Sequence, residues 1–129
     1  MVADGSLDVL KILSDASALI STGEVHQLMV SHDLGITREV YEEVVEAKTA
    51  VLFASACELG AIVSNKPQWR APLRAYGHAL GMAFQLVDDA LDYQANVADL
   101  GKAIGDDFRD GKVTLPVIFA YASATDEEK

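Results

Sequence analysis

Residues Leu80 to Asp92 read Leu-Gly-Met-Ala-Phe-Gln-Leu-Val-Asp-Asp-Ala-Leu-Asp, and this stretch decides the fold class. Ala79, Leu80, Met82, Ala83, Phe84, Leu86, Val87, Ala90 and Leu91 cover every direction about a helix axis. Such a helix has no solvated face and is expected in a core. Asp88, Asp89 and Asp92 interrupt it, and buried carboxylates need a counter-charge. On a helix Gln85, Asp88, Asp89 and Asp92 fall within a sector of roughly 100°, so their oxygens converge. Clustered hard oxygens on a rigid element suit Mg²⁺, which takes a few carboxylates and completes its shell with water and phosphate oxygens. Asp88, Asp89 and Asp92 are therefore candidate metal ligands. The other reading is a helix end with solvated acids, against which the apolar run and Gln85 weigh.

Outward from this stretch, the chain has 129 residues, a length suited to one domain. Half of them are hydrophobic but only 7% are aromatic, a composition that favours a helical bundle. The net charge of −10 argues against nucleic acid and anionic membrane as primary partners, since both need basic surface. An anionic ligand would then depend on metal and on individually placed Lys or Arg. The single cysteine, Cys57, forms no intrachain disulfide and fits a reducing cytoplasm. No signal peptide and no apolar run long enough for a transmembrane segment is found.

The periodicity predicts an all-α chain with no strand pattern. A first helix runs from Ser6 to about Val30, interrupted at Gly23. His32 to Ile36 connects it to a second helix capped by Thr37 and running to about Ser64. Asn65-Lys66-Pro67 breaks that helix, and Pro67 suits the first turn of a third, which extends to about Tyr93. Pro72 lies early enough to be tolerated or to cause a small kink. Gly101 to Gly111 reads as a polar loop, after which Thr114-Leu115-Pro116 opens an apolar helix through about Ser123. Thr125 to Lys129 reads as the N-terminal turn of a further helix without a body, as in a chain that is cut.

Several polar residues are placed for chemistry. Lys48 lies on an apolar stripe with Tyr41, Val44, Val45, Leu52, Ser55, Leu59 and Ile62. Such a lysine either snorkels to the surface or turns inward to meet an anion. Thr49 would add a hydroxyl beside it. Gly77 and Gly81, on the stripe leading to the aspartates, suit either an open channel or close helix packing. Glu24 and Gln27, one turn apart, read as solvated. Asp106-Asp107-Phe108-Arg109-Asp110 repeats the DDxxD spacing, but in a glycine-bounded loop to which the helical convergence argument does not apply. That loop can fold over an anion, with Lys102 and Lys112 as phosphate contacts, or be an ordinary solvated turn. The three histidines lack the Glu three residues earlier that di-iron bundles require.

Taken together these residues resemble a trans-polyprenyl diphosphate synthase. Phe84 to Tyr93 resembles that family's second aspartate-rich motif, and Lys48-Thr49-Ala50 resembles its KTA motif. Gly101-Lys102 and Gly111 to Val117 resemble its lysine-bearing loop and following helix, and Gly23 to Gln27 a pocket segment. The Thr-Leu-Pro-Val form is more similar to the long-chain octaprenyl and decaprenyl synthases of quinone side chains than to farnesyl diphosphate synthases.

The resemblance implies a partial antiparallel helical bundle of the isoprenoid synthase type, a homodimer in the parent enzyme, and prenyltransferase activity. The implied reaction joins isopentenyl diphosphate to an allylic diphosphate after Mg²⁺-dependent ionisation. By this analogy Lys48, Asp88 and Lys102 are catalytic, with Asp88 as metal ligand and Asp89 and Asp92 acting through water or other groups. Lys48, Thr49, Gln85, Lys102 and Lys112 would bind diphosphate. The family's first aspartate-rich motif, its Gly-Gly-Lys-Arg-Pro-type segment and its C-terminal helices have no counterpart here. Residues 1–129 are thus expected to be one partial domain, an internal fragment with negligible turnover alone. The alternatives are a non-catalytic helical partner or regulatory subunit of a synthase, or an inactive truncated product. A terpene cyclase is disfavoured because its second metal motif is usually of the Asn/Ser/Glu type.

Overall fold

The computed structural model describes residues 6–94 and 105–128, and every regular element among them is helical. Helix α1 spans Leu7–Met29, with Ser6 as N-cap accepting the Val9 amide at 3.4 Å. Gly23 does not interrupt it, contrary to the sequence expectation. A glycine inside a helix costs about 1 kcal/mol, and here close packing outweighs that cost. Val9, Ala16 and Gly23 are the buried residues of α1, one every seven positions and smaller at each step. The helix therefore closes on its neighbours toward its C-terminal end.

Helix α2 (Arg38–Val45) begins at Thr37, whose hydroxyl accepts the Val40 amide at 3.3 Å as expected. It runs through a π-turn, Glu46–Ala50, into helix α3, Val51–Val63. The rod ends at Asn65, which adopts φ +52°. The Asn65 amide donates to the Ile62 carbonyl and the Lys66 amide to that of Ala61, both at 2.9 Å. This pairing is a Schellman cap with Asn in the left-handed position. A single 3₁₀ turn, Pro67–Trp69, leads into α4, Arg70–Leu91, and Pro72 in its first turn is tolerated. Helix α5 is one turn, Asp106–Arg109, and α6 spans Leu115–Ser123 with Pro116 near its start. After α6 the Thr125 amide and hydroxyl both donate to the Glu128 carboxylate, at 2.9 and 2.8 Å. That is the helix-opening turn the sequence suggests.

The short connection between α3 and α4 makes them antiparallel neighbours, and they form the most extensive helix pair. Gly77 and Gly81 are buried between them. A Cβ on Gly77 would stand 2.4 Å from the Phe53 carbonyl oxygen. Of the two readings left open for this stripe, the structure takes close packing and not a channel.

Two expectations about stripes fail here. Beyond Lys48 the buried residues are Val51, Ala54, Ser55, Glu58 and Ala61, while Leu52 is half exposed. Ser55 of the expected stripe is buried and Leu59 and Ile62 are half-buried, so the inward face is centred about one position earlier, on the side of α3 that packs against α4. The second failure concerns α4. Leu80, Phe84, Val87 and Leu91 are 42–57% exposed, so the helix is not apolar-buried on all sides. Among the described residues α3 and the π-turn cover only the face bearing Gly77, Gly81 and Asp89.

Candidate functional site

A cavity of about 250 Å³ opens where the end of α1, α2, the π-turn, the C-terminal end of α4 and the stretch from α5 to Val113 meet. Lys48, Thr49, Gln85, Asp88, Asp89 and Lys112 all line it, so the structure brings most of the sequence-selected residues together. Lys102 lies outside the described residues. Gln27, Tyr41 and Asp107 also contribute to the wall.

Lys48 is half-buried, and its Nζ donates to Gln27 Oε1 at 2.7 Å and pairs with Glu24 Oε1 at 3.1 Å. It neither snorkels to bulk solvent nor is sealed in the core. Glu24 and Gln27, which read as merely solvated, are its partners. Their spacing from Gly23 on the inward face of α1 is the signal that was available. Thr49 Oγ1 donates to Gln85 Oε1 at 2.9 Å, which fixes that amide with its nitrogen toward Asp89.

The three aspartates of α4 do not share one environment, which corrects the picture of a buried trio. Asp89 is 3% exposed, and its carboxylate accepts Tyr41 Oη at 2.5 Å and Gln85 Nε2 at 2.8 Å. Burial pushes its carboxyl above the usual aspartate range despite these two bonds, and Asp107 and Asp88 nearby add to the rise. Burial and the bond to Asp89 likewise hold the Tyr41 phenol well above its ordinary value. Tyr41 was legible only as a core residue of the Lys48 stripe, two turns upstream. Asp92 is half-buried and its Oδ2 accepts the Asp107 amide at 3.2 Å. Asp88 is exposed at the cavity and has no hydrogen-bond donor among the described residues.

The second DDxxD is also ordered differently from the sequence reading. Asp106 to Arg109 form α5, entered through Gly105 at φ +76°, which lets Asp107 reach both Asp92 and the cavity. Lys112 Nζ pairs with Asp107 at 2.7 Å, and this bond raises the lysine above its usual range. Arg109 pairs with Asp106 on the surface, the ordinary outcome for that residue. The His32 amide donates to the carbonyl of Gly111, itself at φ +81°, at 2.8 Å, tying the α1–α2 connection to the segment that carries Lys112.

Among the described residues no three His, Cys, Asp or Glu side chains stand close enough to enclose a metal ion. The donor set still fits a hard cation that keeps most of its shell as water and ligand oxygens. Asp88 offers carboxylate oxygens at the cavity that no donor among the described residues engages, while Asp89 and Asp92 already accept hydrogen bonds. The family model described as polyprenyl synthetase matches residues 1–129. The chain belongs to the polyprenyl synthetase family. It is 45% identical over 129 residues to the octaprenyl diphosphate synthase of Escherichia coli (strain K12), covering 99% of this chain and 40% of that one. Among solved structures, a decaprenyl diphosphate synthase from Rhodobacter capsulatus superposes with TM-score 0.88 at 46% identity, over 99% of this chain and 40% of that one. A polyprenyl synthase from Caulobacter crescentus, crystallised with calcium and isoprenyl diphosphate, gives TM-score 0.91 at 50% identity over 99% and 39%. The chain therefore spans about 40% of the length of the relatives it matches. The expected membership, the all-helical polyprenyl synthase fold and its partial extent are borne out. No helix among the described residues is long and apolar enough to cross a membrane.

Proposed function

We propose that residues 1–129 form one partial domain of a trans-prenyltransferase, carrying the second-aspartate-motif wall of its diphosphate site. The protein would join isopentenyl diphosphate to an allylic diphosphate in the cytoplasm, as a homodimer, making a long-chain isoprenoid such as a quinone side chain. The observation that carries this reading is the shared lining of one cavity by Lys48, Lys112 and Asp88, whose carboxylate has no partner among the described residues. Acids facing bases across an aqueous cleft suit a metal-bridged polyanion, in a chain whose net charge of −10 gives no general attraction for one.

In this reading Lys48 and Lys112 neutralise the diphosphate of the allylic substrate, with Lys102 in the same role by resemblance. Thr49 and Gln85 offer hydrogen bonds on the adjacent wall. Asp88 holds Mg²⁺, while Asp89 and Asp92 keep Asp88 and the Asp107 segment in place. When bound, Mg²⁺ supplies charge stabilisation where the diphosphate leaves. The lysines act in the same direction, because their charge faces the oxygens on which negative charge grows. Val44, Val45 and Val113 give the cavity an apolar side that limits water near the reacting carbon.

Calorimetric titration of the chain with pyrophosphate, with and without Mg²⁺, tests the reading. Binding that requires Mg²⁺ and disappears in both Lys48→Ala and Asp88→Ala is expected. Absence of Mg²⁺-dependent binding to the native full-length polypeptide would remove the proposal.

A further inference from the structure

The π-turn that carries Lys48 and Thr49 is gripped from two sides by glycine. On the α1 side, a Cβ placed on Gly23 would lie 2.9 Å from the Lys48 backbone nitrogen and 3.0 Å from the Ala47 carbonyl carbon. On the α4 side, a Cβ on Gly81 would lie 2.7 Å from the Ala50 Cα. Both glycines are buried. Neither contact could be relieved by swinging a flexible side chain, because each meets main-chain atoms.

Each glycine is followed four residues later by the polar partner of a site residue. Gln27 follows Gly23 and accepts from Lys48; Gln85 follows Gly81 and accepts from Thr49. Residues four apart lie one above the other on a helix. Each neighbouring helix thus presents a paired feature to the turn, a bare backbone and, one turn on, an amide. A π-turn is a rare, locally unfavourable conformation that persists only where its surroundings over-determine it. Here the surroundings are these two contacts.

We propose that Gly23 and Gly81 are positioning residues that clamp the π-turn and so aim Lys48 and Thr49 into the diphosphate cavity. This rests on the reading of Lys48 as a diphosphate-binding residue. A side chain at either glycine pushes a helix away, lets the turn relax toward a regular α-helix, and rotates Lys48 off Gln27. The loss falls on ligand binding and not only on stability.

The test uses the native full-length polypeptide, inorganic pyrophosphate and Mg²⁺, with Gly23→Ala and Gly81→Ala compared against Ala61→Gly. Ala61 is a buried position of α3 remote from the cavity, so its variant reports general loosening. The glycine variants are expected to lose about tenfold in pyrophosphate affinity, the weight of one charge-assisted contact, while Ala61→Gly stays close to wild type at a comparable fall in Tm. Affinity that tracks Tm equally in all three variants overturns the clamp. Should wild type bind no pyrophosphate, the diphosphate reading fails by itself, and amide hydrogen exchange decides the clamp. Ala47 to Ala50 amides are expected to be as protected as those of Val51 to Ala54 in wild type, even if the glycine variants do not fold. Fast exchange in the wild-type turn overturns it.

Discussion

The Tyr41 phenol donates a 2.5 Å hydrogen bond to Oδ2 of Asp89, across 48 residues of sequence. With Gln85 on the other oxygen, it commits the middle aspartate of the motif to the scaffold. Tyr41→Phe leaves that oxygen buried without a donor, a loss of about 1–3 kcal/mol. The variant also drives the Asp89 carboxyl further up. A group whose folded pKa lies above its unfolded value adds stability below the unfolded value and loses it as pH rises through the folded one. Urea titrations should therefore show the Tyr41→Phe deficit to be larger at neutral pH than in the acid carboxylate range. An equal deficit at both would contradict the assignment.

Asp88 and Asp89 should separate cleanly by mutation. Asp88→Ala removes an exposed side chain and is expected within about 0.5 kcal/mol of wild-type stability, yet to abolish Mg²⁺-dependent pyrophosphate binding. Asp89→Ala strands Tyr41 and Gln85 and should lower stability by about 1–3 kcal/mol. Paired calorimetry and thermal melts check both.

Glu24 competes with any anion for Lys48, at 3.1 Å. Because half of its side chain is exposed, the pair is worth less than about 1 kcal/mol. Glu24→Gln should accordingly tighten pyrophosphate binding by a few-fold while leaving Gln27 in place. Weaker binding in that variant would place Glu24 among the ligand's supports.

Glu58, a buried carboxylate on α3, meets Arg70 at 2.9 Å and Arg74 at 2.8 Å. Burial pushes its carboxyl up, but the two arginine hydrogen bonds outweigh burial and hold it below the usual value of 4.5. Its contribution is present above that value and is lost as pH falls through the lowered folded pKa. Both arginines are partly exposed, so the contribution is about 1 kcal/mol. Glu58→Gln should be less stable than wild type at pH 7, with the gap closing as the pH drops below 4.5.

Gly111 combines φ +81° with a Cβ direction that meets the His32 ring at 2.2 Å. Gly111→Ala is expected to cost more than the roughly 1–2 kcal/mol of left-handed strain alone. His32→Ala in the same chain should return only the part due to the clash, as chemical denaturation of the single and double variants would show.

The helices were legible because their signals are local. Thr37 as a cap, Asn65-Lys66-Pro67 as a stop and Pro116 at a helix start each act through neighbouring backbone. The motif residues on α4 and the Lys48-Thr49-Ala50 segment were equally plain, and they pointed to the family that the whole-chain match bears out. The stripe beyond Lys48 was misread in part because the inward face of α3 is decided by α4 packed against it, which the residues of α3 alone do not contain. Gly23 was misread as a break because its cost is local while its contact with the turn is 25 residues away in sequence.

The opening stretch, Leu80 to Asp92, shows the division most clearly. Sequence alone determined that it is a helix and that its acids fall in one sector of it, since both follow from local geometry. Only the tertiary structure decided that Asp89 is locked by Tyr41 and Gln85, that Asp92 holds α5, and that Asp88 alone of the three is left at the cavity with no donor among the described residues. A carboxylate's role depends on which donors and how much water reach it, and those arrive from segments that the local sequence does not contain.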